Sequence, residues 1–230
     1  MITIDMKYIN KQIALEPQTL TLYRNTTPNA NYKGFVDTDS LLKQALLNEQ
    51  GYLCGYCMKK IPEANGKYVS VEHYISQEKH VDSNLTELRH SQSSLRYNNM
   101  LAVCVNNGIH CDKSRGNIPF KVLNPHHISC EQRITYSLTD KVESKNNVSV
   151  DFDIELLKLN CQNLKELRGF FWLEAKEKLK RKHPKGTWTK QIIETERQIY
   201  IDKKAGKYKA FCNYIIFRFN HLLSLPKYSK

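Results

Sequence analysis

The sequence predicts an α+β chain, with a small metal-braced centre followed by a mostly helical basic region. Three observations predict it. Four cysteines stand as two half-sites, Cys54-Gly-Tyr-Cys57 and the pair Cys104 and Cys111. Between them Val69-Ser70-Val71-Glu72-His73-Tyr74-Ile75 alternates β-branched residues in the manner of a strand. From Asp153 onward the apolar residues take helical spacing. The expected divisions are an arm and helix over 1–50, the cysteine-bearing centre over 51–125, and a loop-rich bridge with a basic helical region over 126–230.

In chain order, residues 1–36 carry Pro17, Pro28 and the stretch NTTPNANY, which read as an extended arm with little regular structure. DTDSLLKQALLNEQ (37–50) predicts a short amphipathic helix, capped by Asp39 or Ser40, with Leu41, Leu42, Ala45 and Leu46 on one face. The 69–75 strand delivers Glu72 and His73 at its end. In the bridge, 133–138 is a possible strand. Leu156, Leu157, Leu159, Leu164, Leu167, Phe170, Phe171 and Leu173 then carry a helical pattern, broken at Pro184 and Gly186. Two further helices are expected, at about 189–203 and 207–224.

Composition narrows the function classes. The apolar share of 40% and charged share of 25% are those of a folded protein. Thirty-five basic against 23 acidic residues leave a formal charge of +12, which favours a polyanionic partner, nucleic acid or an acidic membrane surface. From Asp151 to Lys230 there are 18 Lys/Arg and 9 Asp/Glu, so +9 of that charge lies in the last third. No apolar run is long enough to span a bilayer, and MITIDMKYINKQ lacks the apolar core of a signal peptide. A soluble cytoplasmic protein without membrane association is therefore expected. In that setting seven cysteines, an odd number, argue for metal ligation over disulfides.

The CxxC knuckle puts two thiolates on one tight turn and leaves half of a tetrahedral site open. Cys104 and Cys111 complete it, giving four sulfur ligands for a structural Zn²⁺. They are separated by the loop VNNGIH, and His110 is an alternative to Cys111 as the fourth ligand. A redox reading of the CxxC pair needs a thioredoxin-like βαβ setting, which the sequence lacks. Cys130, Cys161 and Cys212 are scattered and read as core thiols.

Interleaved with the cysteines are an acid–His pair, Glu72-His73; an Asn five residues before a cysteine, Asn99; and Asp112 directly after Cys111. The stretches that carry a likeness are LLNEQGYLCGYC (46–57), VEHYIS (71–76), YNNMLAVC (97–104) and HCDKSRGN (110–117). On them the chain resembles the HNH nuclease family in its zinc-ribbon ββα-metal form. Within that family it is similar to the HNH subunit of Septu-type antiphage systems, including the retron-associated ones. The likeness spans roughly residues 1–125.

The resemblance implies a role for each residue. His73 matches the general base that activates water, and Asn99 the middle residue, which orients the base or contacts the metal. Glu72 matches an acidic metal ligand more often seen as Asp. Asp112 takes the third position, where many relatives carry His or Asn, with Asn107 and Asn117 as nearby alternatives. It also implies an ATPase partner related to the ABC and structural-maintenance ATPases, and in retron-associated systems a reverse transcriptase and its DNA. No phosphate-cradling Gly-rich loop occurs here, so an ATP-driven step falls to a partner.

General chemistry agrees with these roles. Phosphodiester hydrolysis needs a base with a pKa near ambient pH, which imidazole supplies. It also needs charge neutralised on the phosphorane and leaving oxygen, which one hard divalent ion provides. Glu72 and Asp112 offer the oxygen ligands that Mg²⁺ or Mn²⁺ prefers. Lys113 and Arg115 follow and are candidates to hold the flanking phosphate. EAKEKLKRKHPK (174–185), with Lys180, Arg181 and Lys182, is a second candidate nucleic-acid surface. The expectation is thus a metal-dependent endonuclease, DNA favoured, acting as the nuclease of an antiphage complex. Its competitors are an RNA-cleaving effector acting on tRNA and a non-catalytic zinc-ribbon module.

Overall fold

The computed structural model describes residues 7–11, 15–77, 94–184 and 188–228. Gly186, expected as a helix break, lies outside them.

The arm holds more regular structure than its composition suggests. Helix α1, Gln18–Thr26, starts directly after Pro17, and a 3₁₀ turn follows at Tyr32–Gly34, with the Asn31 side chain accepting from the Gly34 amide. Leu20, fully buried, pins α1 to the core. Burial of one leucine decides the state here where propensity does not.

Helix α2 covers Leu41–Gln50. Its cap is Asp37, whose carboxylate accepts from the Leu42 amide at 2.7 Å and the Lys43 amide at 3.3 Å. Asp39 and Ser40, the expected caps, instead adopt left-handed backbone (φ 53° and 57°) that loops the chain back so Asp37 can reach. The buried face is Leu42, Leu46 and Leu47, while Leu41 is 44% exposed. Gly51 ends the helix at φ 61°, and its amide closes onto Asn48.

Strand β1 is Val69–His73, as its alternation predicts. Its antiparallel partner β2, Met100–Cys104, is fully buried and so shows no alternation to read. The register pairs Val69 with Cys104 and His73 with Met100. Opposite ends of one hairpin therefore carry a zinc-type cysteine and the acid–His pair. A single-turn helix α3, Asp112–Arg115, follows Cys111, and α4, Cys130–Arg133, leads into a second hairpin. There β3, Ile134–Tyr136, pairs with β4, Val142–Ser144.

The helical region divides into α5 (Val148–Leu156), α6 (Gln162–Lys182), α7 (Lys190–Ile201) and α8 (Cys212–Ser224). A break at left-handed Lys158 (φ 47°) separates α5 from α6. Arg168 on α6 is 1% exposed and donates to the Asp140 and Leu159 carbonyls. Asp153 on α5 is fully buried and accepts the amides of Lys121, Val122 and Leu123, each at 2.8 Å. A continuous apolar core runs from Ile9 through α2, the β1–β2 hairpin and α5 to α8. No helix among the described residues is long and apolar enough to cross a membrane.

Candidate active site and cysteine cluster

The knuckle forms because the backbone turns tightly over β2. The Cys54 amide donates to the Lys59 carbonyl, the Met58 amide to Cys54, and the Gly55 amide to Ala102. Gly55 sits so close that a Cβ would lie 2.5 Å from a Leu101 methyl, which is why no larger residue fits there. Cys104 ends β2. Cys111 takes an unusual left-handed φ of 61°, with its amide on the Leu157 carbonyl at 2.9 Å, and this swings its sulfur inward.

All four sulfurs lie within 4.8 Å of one another and all four residues are buried. Cys54 and Cys111 Sγ are 3.8 Å apart, and Cys57 and Cys104 Sγ 3.7 Å. A tetrahedron with Zn–S bonds of about 2.3 Å has edges of about 3.8 Å, so the cluster fits Zn²⁺. Cys111, not His110, is its fourth member. His110 is 1% exposed and places Nδ1 3.0 Å from the Cys111 sulfur. Asn106 donates to the His110 carbonyl at 2.7 Å and lies 3.7 Å from the Cys104 sulfur, tying the loop around the cluster. Burial pushes the Cys57 and Cys111 thiols up, while hydrogen bonds from its three cysteine neighbours hold the Cys104 thiol down. Cys130 and Cys212 are buried apart from this cluster, and Cys161 is half-buried at the start of α6.

At the far end of the hairpin, Glu72 is 6% exposed. Its Oε1 accepts from the Tyr56 hydroxyl at 3.0 Å and pairs with Arg115 at 2.8 Å. The Asp112 carboxyl is near enough to act on the same group. Burial raises the Glu72 pKa to about 8, opposed by Arg115 and reinforced by Asp112. Two carboxyl groups coupled in this way can share a proton or a cation.

His73 is 3% exposed. Its Nε2 lies 2.9 Å from the Ser94 carbonyl, which can only accept, so Nε2 carries the proton. The lone pair is therefore on Nδ1, to which the Gln77 amide donates at 2.9 Å. Burial lowers the His73 pKa and keeps the ring neutral, and the edge of Tyr32 packs on it at 4.6 Å between centroids. Asn99 accepts the Ile75 amide at 2.8 Å and donates to the Ile75 carbonyl at 3.0 Å, while its own carbonyl takes the Tyr74 amide. It thereby clamps the turn just after His73.

The structure thus gathers Glu72, His73, Asn99, Asp112 and Arg115 at one end of the hairpin. Asn107, on an exposed left-handed turn (φ 53°), lines the same groove as Asp112, and Asn117 is exposed, accepting from Ser76 at 2.8 Å. Arg115 is 2% exposed and directed inward, bonded to Glu72 and to the carbonyls of His73 and Tyr74. Lys113 is exposed and, with Asp112, Tyr32 and Lys43, lines an open groove of about 650 Å³. Lys180, Arg181 and Lys182 are exposed at the end of α6, but Lys180 pairs with Glu177 and Lys182 with Glu196. Sequence reasoning missed Tyr56, Tyr32, Gln77 and Ser94. Gln77, four residues past His73, was the one that local spacing could have suggested.

An α+β protein with four buried cysteines placed so that they could hold a metal, and with two carboxyl groups near a neutral histidine, is what this geometry defines. No protein-family model matches the chain. It is similar to an Escherichia coli protein named "Retron Ec83 putative HNH endonuclease", at 25% identity over 71% of this chain and 78% of that relative. That likeness supports an HNH-type nuclease.

Proposed function

We propose that the chain is a divalent-metal-dependent HNH endonuclease that hydrolyses phosphodiester bonds of nucleic acid, DNA favoured. The observation that carries the reading is the gathering of Glu72, Asp112 and the neutral ring of His73 at one end of the hairpin, with Asp112 on an open groove. The β1–β2 hairpin with α3 is read as the ββα core of that class.

His73 is the general base. Its Nε2–H is spent on the Ser94 carbonyl, so Nδ1 takes the proton from water once the Gln77 amide yields its place. Asn99 holds the backbone on which His73 is aimed. Glu72 and Asp112 are the ligands for Mg²⁺ or Mn²⁺, which when bound neutralises charge on the scissile phosphate. Arg115 holds Glu72 in position from inside, and Lys113, facing the groove, takes the phosphate contact. Zn²⁺ on Cys54, Cys57, Cys104 and Cys111 braces the hairpin from its other end.

In biological terms the chain is the effector nuclease of an antiphage defence complex, partnered by an ATPase related to the ABC and structural-maintenance families. Its resemblance to Septu-type subunits and its retron-named relative support this. The test is incubation of the purified chain, alone and with such an ATPase, with DNA and RNA in EDTA, Mg²⁺ and Mn²⁺. Cleavage of DNA that requires the divalent ion supports the reading. Cleavage of RNA alone makes the chain an RNA effector, and no cleavage of either makes it a binding module.

A further inference from the structure

A second basic surface lies away from Lys180, Arg181 and Lys182. Between α7 and α8 the segment DKKAGKYK (202–209) folds into a small hairpin. Lys204 and Lys207 exchange both backbone hydrogen bonds, at 2.9 and 3.1 Å, around Ala205 and Gly206. Both turn residues are left-handed (φ 49° and 76°), the geometry of a tight two-residue turn. The hairpin is seated on the cysteine knuckle. The Tyr208 amide donates to the Gly51 carbonyl at 2.9 Å and the Phe211 amide to Met58 at 3.1 Å. Gly51 permits this seating, since a Cβ there would lie 2.4 Å from the Tyr208 ring.

The seating brings lysines together from separate parts of the chain. Lys7 and Lys203 lie 4.5 and 5.0 Å from the Tyr208 ring centre, and Lys207 lies 4.0 Å from that of Tyr52. Four lysines stand against one acid, Asp202, in the segment. Among the described residues no ion pair engages Lys7, Lys203, Lys204 or Lys207. Oε2 of the nearby Glu49 is taken by Lys11 and Tyr97, and the one acid that acts on Lys203 is this same Glu49. On α6, by contrast, Lys180 pairs with Glu177 and Lys182 with Glu196. Here like charges converge instead: Lys203 is pushed down by burial and then by Lys7. Tyrosine faces hold the ammonium groups in place without neutralising them.

We propose that the 202–209 hairpin on the cysteine knuckle is a clamp for the phosphate backbone of a nucleic acid that enters the candidate active site. The proposal rests on the nuclease reading. The placement suits it: Lys43, beside the groove, lies on α2, and Gly51, under the hairpin, ends that helix eight residues later, about 12 Å along its axis at 1.5 Å per residue. That is a span of a few nucleotides at about 3.4 Å per step. The tip carries only Ala205 and Gly206, with no large apolar group to enter a lipid surface.

The test measures binding of a labelled DNA duplex across a salt series, without added divalent ion, for the full chain, Lys204→Ala/Lys207→Ala and Lys204→Arg/Lys207→Arg. The alanine pair is expected to bind about tenfold more weakly near 0.2 M salt and to lower the salt slope by about two, with zinc content and melting midpoint unchanged. The arginine pair is expected to restore the slope. A slope unchanged by the alanine pair overturns the clamp, as does loss of binding to anionic vesicles or an acidic protein with DNA binding intact. If the full chain cleaves DNA but the slope does not move, the clamp alone falls. If it neither binds nor cleaves DNA or RNA with Mg²⁺ or Mn²⁺, the nuclease reading falls with it.

Discussion

Arg115 pairs with Glu72 at 2.8 Å while donating to the carbonyls of His73 and Tyr74. One buried guanidinium from α3 thus holds both the carboxylate and the backbone at the end of β1. Its position explains how a one-turn helix is kept in register with a strand some forty residues earlier. Arg115→Met should cost about 3–5 kcal/mol, because it leaves the buried Glu72 carboxyl and the carbonyls of His73 and Tyr74 without their donor. Chemical denaturation checks this. A loss below 1 kcal/mol would show that the pair does not hold the two elements together.

His73→Ala should lower the cleavage rate by about 10²–10⁴ while zinc content and nucleic-acid binding stay near wild type. The basis is its neutral ring with the lone pair on Nδ1. Single-turnover nicking within threefold of wild type would remove the base assignment.

Cys54→Ser or Cys57→Ser should lose zinc and unfold the centre, since metal-binding energy in so small a site is folding energy. Cys161→Ser should do neither, because Cys161 stands outside the cluster of four. Mass spectrometry for metal and circular dichroism read both. A zinc-free wild type that melts cooperatively would contradict the fit of the four sulfurs.

Asp112→Ala should weaken the catalytic metal, so that activity falls at low Mg²⁺ and partly recovers at high Mn²⁺. Asn117→Ala should do less, because Asp112 acts directly on the Glu72 carboxyl whereas Asn117 is exposed and engaged by Ser76. Metal titrations of the two variants decide it. The reverse ranking would move the third ligand to Asn117.

Much of this was legible in the sequence because its signals are local. Ligand spacing marked the four cysteines, and the alternation from Val69 marked β1. Proximity in the chain put Glu72 beside His73, and helical periodicity announced the C-terminal helices with their break. Other features depend on what lies opposite in space. Strand β2 is buried on both faces and has no alternation to betray it. Asp37 replaces Asp39 as the cap only because two left-handed residues turn the chain back. Arg115 reads as a surface cation until β1 is laid beside α3, when the cost of an unpaired Glu72 draws it inward. The lysines around the 202–209 hairpin are ordinary surface charge in one dimension. Residue types and short-range spacing determine which chemistry is available, because ligand geometry and strand period act over a few residues. Packing alone decided which charges are buried in pairs and which are left to face solvent, because desolvation depends on neighbours that the chain brings in from far away.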